Sequence, residues 1–257
     1  MENRIFSLDH DGNKYEIVTT FRRRGEEMVL LLHGLGCSKE SFRDIWISDE
    51  FNDFSILSMD LLGFGDSSKS SKFSYKIEDH ASVCAKVVKE IPSKKIHIVA
   101  HSMGGAIGLL LPDSVLNLAL TFANLEGNLS IEDCGFVSQK TVNVSFQKFV
   151  NEVLPEFKEL SKSLGQGRFF LDKALPLGFY KSAESLVRWS NSGELISHFK
   201  NLPCRKSYFY GEKNADKIAL HRLDSVEKIM IGRSGHFMMN DNPDEFYPRL
   251  SRFLSST

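Results

Sequence analysis

The residues best suited to chemistry in this sequence are Ser102 and the small residues around it. Ile96-His97-Ile98-Val99-Ala100 has the apolar, β-branched character of a buried strand, and His101-Ser102-Met103-Gly104-Gly105-Ala106 takes the chain straight into a helix. So sharp a turn forces the serine into strained backbone geometry. It closes only if the residues two positions either side, Ala100 and Gly104, are small enough for strand and helix to approach. The strain lifts the Ser102 hydroxyl above the C-terminal edge of the sheet, where a substrate can reach it. The N–H of Met103 then lies at a helix N-terminus and can stabilise an oxyanion. This is the equipment for nucleophilic attack on a carbonyl, and it needs a base within hydrogen-bond reach.

The elements that must hold such a serine are also legible. Two β-type runs between Arg4 and Phe21 flank His10-Asp11-Gly12-Asn13, and Asp-Gly is a tight-turn signal, so a hairpin is expected. Short apolar runs at residues 28–32, 55–59, 96–100, 118–123, 206–210 and 226–231 read as strands buried on both faces. Ile77, Ala81, Cys84, Val88 and Ile91 follow helical spacing and stop at Pro92. A last helix begins at Asn242-Pro243-Asp244-Glu245, with a capping Asn, Pro at the first helical position and acids at the positive helix end. Strands alternating with helices imply an α/β protein with a mostly parallel, eight-stranded sheet covered on both sides. The stretch from about 128 to 203 lacks strand runs, is rich in Phe and is too long for an ordinary loop. It reads as an inserted helical cap, leaving 1–127 and 204–257 as the core domain.

Composition narrows the function classes. The chain has 257 residues, 42% of them apolar and 25% charged, and a net charge of −1, as in an ordinary soluble globular protein. Neither nucleic acid nor an anionic membrane is an expected partner. The run Arg22-Arg23-Arg24, followed by Glu26 and Glu27, reads as a solvated hairpin end, because a phosphate patch would need more charge around it. The first residues carry no basic stretch leading into an apolar one, and no apolar run approaches the roughly 20 residues that span a bilayer. A cytoplasmic location is expected. Cys37, Cys84, Cys134 and Cys204 are scattered without metal-ligand spacing and read as free thiols. No metal or cofactor is expected.

Ala100-His101-Ser102-Met103-Gly104 resembles the nucleophile elbow, G-x-S-x-G, of the α/β-hydrolase superfamily, with Ala100 in place of the first glycine. Three further segments match in family order. His33-Gly34-Leu35-Gly36 follows a buried strand as the oxyanion-loop motif does, and the resemblance assigns a second oxyanion donor to the N–H of Leu35. Asp60-Leu61-Leu62-Gly63-Phe64-Gly65-Asp66-Ser67 is similar to the family's D-x-x-G-x-G-x-S turn, which supports the site without a catalytic role. Ser234-Gly235-His236-Phe237 sits where the family places its catalytic histidine. Of the eight histidines, His236 is therefore the base that the resemblance implies. His10 and His80 are expected to be exposed, His33 and His101 to serve their motifs, and His97, His198 and His221 to be structural.

The third member is less regular. The family's acid usually follows the penultimate strand, but here Gly211-Glu212-Lys213-Asn214 places Asn at that position. An Asn can orient an imidazole but cannot stabilise the imidazolium that forms during attack. Two carboxylates keep the order serine, acid, histidine: Asp216 in the same loop, and Glu126 at the end of the strand after the elbow helix. Glu126 is favoured, because strand ends point into the site and Asp216 is flanked by Lys213 and Lys217.

The resemblance thus implies a cofactor-independent serine hydrolase. Such an enzyme would cleave an ester or related acyl bond through an acyl-enzyme; the aromatic-rich cap suggests a small hydrophobic substrate, and a monomer or homodimer is expected. The alternatives are a carbon–carbon bond hydrolase of ring-cleavage products and a weakly active, hydrolase-like ligand-binding protein.

Overall fold

A computed structural model describes residues 1–165, 168–216 and 218–255. Eight strands form one sheet: β1 (Glu2–His10), β2 (Asn13–Arg22), β3 (Glu27–Leu32), β4 (Ser55–Met59), β5 (Lys95–His101), β6 (Ala119–Leu125), β7 (Arg205–Gly211) and β8 (Glu227–Ile231). Their order is β1-β2-β4-β3-β5-β6-β7-β8. The β1–β2 and β2–β4 pairs are antiparallel, and every other pair is parallel. The hairpin turns at Asp11 (φ 50°) and Gly12 (φ 71°), the two left-handed positions that a two-residue type I′ turn requires.

The helices that matter for the site are α1 (Ile77–Lys89), α2 (Met103–Leu109), α3 (Phe136–Val142), α4 (Leu154–Leu164), α5 (Pro176–Ser192), α6 (Glu194–Asn201) and α7 (Pro243–Ser255). Period-two alternation sends the two faces of β3 into different cores. Met28, Leu30 and Leu32 pack in the layer holding Ala81, Val88 and Ile107, whereas Val29 and Leu31 pack with Phe246, Leu250 and Phe253. Covered on both sides, β3 can be almost wholly apolar, and every residue of β4 is buried. Among the described residues, every element between β6 and β7 is helical. None of the described helices is long and apolar enough to cross a membrane. All four cysteines are unbridged.

Two expectations fail here, for one reason. His10 (7% exposed) and His80 (1% exposed) are buried, not solvated. Both lie against the ring of Phe73, with centroids 5.5 and 5.2 Å away, and Tyr75 completes the cluster. Of the basic run only Arg22 is buried, its guanidinium donating to the carbonyl of Phe51 at 2.6 Å, whereas Arg23 and Arg24 are exposed as expected. In each case long-range packing overrides the local polarity of the residue.

Burial of His80 carries a pH dependence. Desolvation, helped by the neighbouring His33 and His10, pushes its imidazole down to about 3, against about 6.5 in an unfolded chain. Between those values the unfolded chain binds the extra proton and the folded one does not. Stability is therefore fully present above the unfolded value and falls as pH drops through the window. Urea unfolding at about pH 5 is expected to show a lower midpoint than at about pH 7, and His80→Gln to remove part of the difference.

Candidate active site

The turn at Ser102 has the strained geometry that its sequence implies. Ser102 sits at φ 53°, ψ −121°, between the end of β5 and the start of α2. A Cβ on Gly104 would lie 2.4 Å from the carbonyl oxygen of Leu32, and one on Gly105 would lie 2.6 Å from the Cα of Gly127. Only glycine allows α2 to approach the strand ends so closely. The backbone of Ser102 is tied to the neighbouring strand end, its N–H donating to the carbonyl of Leu125 at 3.1 Å.

That neighbouring end presents Glu126. It also takes a left-handed conformation (φ 42°), with its N–H donating to the carbonyl of Phe209 on β7 at 3.0 Å. The twist aims a carboxylate that is 1% exposed across the strand ends toward His236. Glu126 Oε2 lies 3.0 Å from His236 Nδ1. Oε1 accepts the N–H of Gly211 at 2.9 Å, and the Asn214 side-chain amide donates to Oε1 at 2.8 Å and to Oε2 at 3.0 Å. Several donors thus fix the orientation of this buried carboxylate. Asp216, by contrast, is exposed on its loop.

The loop bearing His236 is fixed from two sides. The N–H of Gly235 donates to Asp241 Oδ2 at 2.8 Å, and the other oxygen of Asp241 takes Arg168 Nε at 3.1 Å. His101 lies beneath, its ring centroid 4.7 Å from that of His236. Because the carbonyl of His236 can only accept, the 2.9 Å contact to His101 Nε2 places the proton on that nitrogen. Burial and the nearby His236 hold His101 well below the usual imidazole range, so it is a neutral donor.

The opposite wall is the loop after β3. His33 Nε2 accepts the N–H of Leu61 at 3.0 Å, which leaves Nδ1–H to donate to the carbonyl of Gly34 at 2.8 Å. This aligns the turn that presents Leu35. The Asp60 turn anchors it in place. The Asp60 carboxylate, fully buried, accepts the N–H groups of Lys39 (2.7 Å) and Asp66 (2.9 Å) and the Lys39 ammonium (3.1 Å). Burial alone would lower the Lys39 ammonium, but Asp60, Glu40 and Asp66 together outweigh it and hold it above the ordinary value. A Cβ on Gly65 would fall 2.1 Å from the Asp60 carboxyl carbon, which explains the second glycine of that motif.

Ser102, His236, Leu35 and Asn214 open onto one cavity of about 380 Å³, closed from the other side by Phe136, Val137, Leu160 and Phe169 of the helical stretch. Among the described residues, the N–H groups of Leu35 and Met103 donate to no protein acceptor. They are therefore open to a ligand oxygen. No hydrogen bond joins the Ser102 hydroxyl to His236 in this state, and such bonds often tighten only around bound substrate. Ser102, His236 and Leu35 thus line one space, with buried Glu126 behind His236 and Met103 directly after Ser102 at the start of α2. The sequence reading gave no role to Asn214 as a clamp on Glu126. It also overlooked His101 as a support for His236, and Asp241. A chain distance of 88 residues between Asn214 and Glu126 leaves no local signal. Asp241, five residues after His236, belongs to no motif.

Comparison with known proteins agrees with this architecture. Residues 27–134 match the family model described as the alpha/beta hydrolase fold. Over 114 residues the chain is 32% identical to BODYGUARD 4 of Arabidopsis thaliana, covering 41% of this chain and 27% of that protein. Over 84 residues it is 33% identical to Lipase 3 of Moraxella sp. (strain TA144), covering 32% and 26% respectively. These matches take in about a quarter of the length of either relative. The whole fold superposes on a bromoperoxidase from Bacillus anthracis with a TM-score of 0.80 at 15% identity, covering 98% of this chain and 99% of the other. Sheet order, strained serine turn and matching segment agree: the chain has the α/β-hydrolase fold.

Proposed function

We propose that the chain is a cofactor-independent serine hydrolase that cleaves an ester or related acyl bond of a small hydrophobic substrate. Its nucleophile is Ser102. His236 takes the hydroxyl proton as the oxygen attacks the carbonyl, then returns it to the leaving alkoxide. The N–H groups of Leu35 and Met103 hold the oxyanion, and water later clears the acyl-enzyme by the same route. Glu126 fixes the Nδ1–H tautomer of His236 and stabilises the imidazolium. The observation that carries the reading is the 3.0 Å contact between Glu126 and His236 at the wall of a cavity that also holds Ser102. The likeness to Lipase 3 supports ester chemistry. In this reading residues 128–203 act as a cap whose apolar side chains receive the acyl group. Hydrolysis of p-nitrophenyl butyrate and octanoate by the purified protein tests the proposal, and release of nitrophenol no faster than the buffer blank would overturn it.

Asn214 then has a defined part, holding the acid it has replaced at the end of β7. Asn214→Ala removes two donors to a buried carboxylate, a loss of about 1.5–3 kcal/mol for hydrogen bonds to a charged group. The expected outcome is a fall of roughly tenfold to a hundredfold in kcat with KM little changed, read from steady-state ester hydrolysis.

A further inference from the structure

The basic run at the end of β2 acquires in three dimensions the extra charge that it lacks in sequence. A cavity of about 500 Å³ opens at the N-terminal edge of the parallel strands, the opposite end of the sheet from Ser102. Its floor is apolar: Phe21, Met28 and Ile91 are each buried. Five cations, Arg4, Arg23, Arg24, Lys94 and Lys95, line it against a single carboxylate, Glu26. Glu2 takes Arg4, Glu27 takes Lys95 at 3.5 Å, and Arg24 is bound to Asn52. Among the described residues, Arg23 and Lys94 have no acidic partner.

The walls are held in place. Ser55 Oγ accepts the N–H of Arg24 at 3.0 Å and donates to the carbonyl of Gly25 at 2.9 Å. From the facing turn, Ser93 Oγ bonds to the carbonyls of Glu26 (3.3 Å) and Lys95 (3.0 Å), tying the two loops together. A Cβ on Gly25 would lie 1.9 Å from the carbonyl oxygen of Asp53, so this turn is packed against its neighbour. The result is a preformed hollow with an apolar floor and a positive rim.

We propose that this hollow binds a small amphiphilic organic anion, a carboxylate carrying an apolar chain. The rim cations meet the carboxylate and the floor takes the chain. A methylene occupies roughly the volume of a water, about 30 Å³, so a chain of about ten carbons fits the space. The hollow is concave and isolated on a protein of net charge −1, which disfavours a nucleic acid, whose phosphates need an extended positive surface. The proposal is independent of the chemistry assigned to Ser102.

Decanoate, below its micellar concentration, is the probe, and amide chemical shifts of the ¹⁵N-labelled protein are the readout. Saturable shifts are expected at Arg23, Gly25, Ser93 and Lys94, whether or not Ser102 is intact. The double variant Arg23→Glu/Lys94→Glu, whose changes lie on exposed side chains, should weaken decanoate at these amides by about tenfold or more. Decanol, which lacks the charge, should leave them unmoved. Shifts confined to residues around Ser102, equal binding by the double variant, or the same shifts with inorganic phosphate (an adventitious ion only) would each overturn the proposal.

Discussion

Replacing Ser102 by Ala is expected to lower kcat for a p-nitrophenyl ester by about 10⁶-fold, leaving only what binding and the oxyanion donors supply, about 10³–10⁴ over water. The methyl group fills the same space without an attacking oxygen, so KM should hardly move. The variant should also fold. Ser102 contributes its backbone to the turn, through the N–H bond to Leu125 and a carbonyl that accepts from Gly105 at 2.8 Å, and its side chain makes no bond on which the turn depends. An unchanged urea midpoint alongside lost activity separates chemistry from stability. Equal rates for the two proteins would remove Ser102 from the mechanism.

The second large effect concerns the acid. Glu126→Gln keeps the shape of the side chain but not its charge, and its amide can now donate toward His236 Nδ1. Asn214 and the N–H of Gly211 both need an acceptor at this group, so the Gln oxygen will face them and its amide will face the imidazole. His236 must then carry its proton on Nε2, where it cannot accept from a serine. A loss of about 10³–10⁴-fold in kcat follows, as expected when a triad acid is neutralised with its geometry kept. Asp216→Asn, on an exposed residue of the β7 loop, should change kcat by less than about twofold. If Asp216→Asn were the damaging change, the acid would have been assigned to the wrong loop.

How much of this could be read from the chain depends on the range of each interaction. The elbow was legible because its requirements are local: a buried strand, a serine, and glycines at the positions where α2 meets Leu32 and Gly127. The hairpin was legible for the same reason, since Asp11 and Gly12 state their own turn. Glu126 could be singled out because a carboxylate at the end of β6 and an Asn at the end of β7 are each visible, although their mutual hydrogen bonds are not. What escaped was set by packing between distant segments. Nothing near His80 announces that Phe73 and Tyr75 will close over it, and nothing in Arg22 announces the Phe51 carbonyl that receives it. The basic hollow at the far edge joins Arg23 to Lys94 only because β2, β3 and β5 converge there. His101 looked like an elbow residue and is also a support for His236, since the loop after β8 folds back over it.

The central claim is that Ser102 is an activated nucleophile in a site completed by His236 and Glu126. Reaction with a fluorophosphonate followed by peptide mapping tests it most directly. The expected result is a single adduct on Ser102, absent from Ser102→Ala and formed about 10³-fold or more slowly by Glu126→Gln. No adduct on the folded wild-type protein, or an adduct on another residue that survives Ser102→Ala, would contradict it.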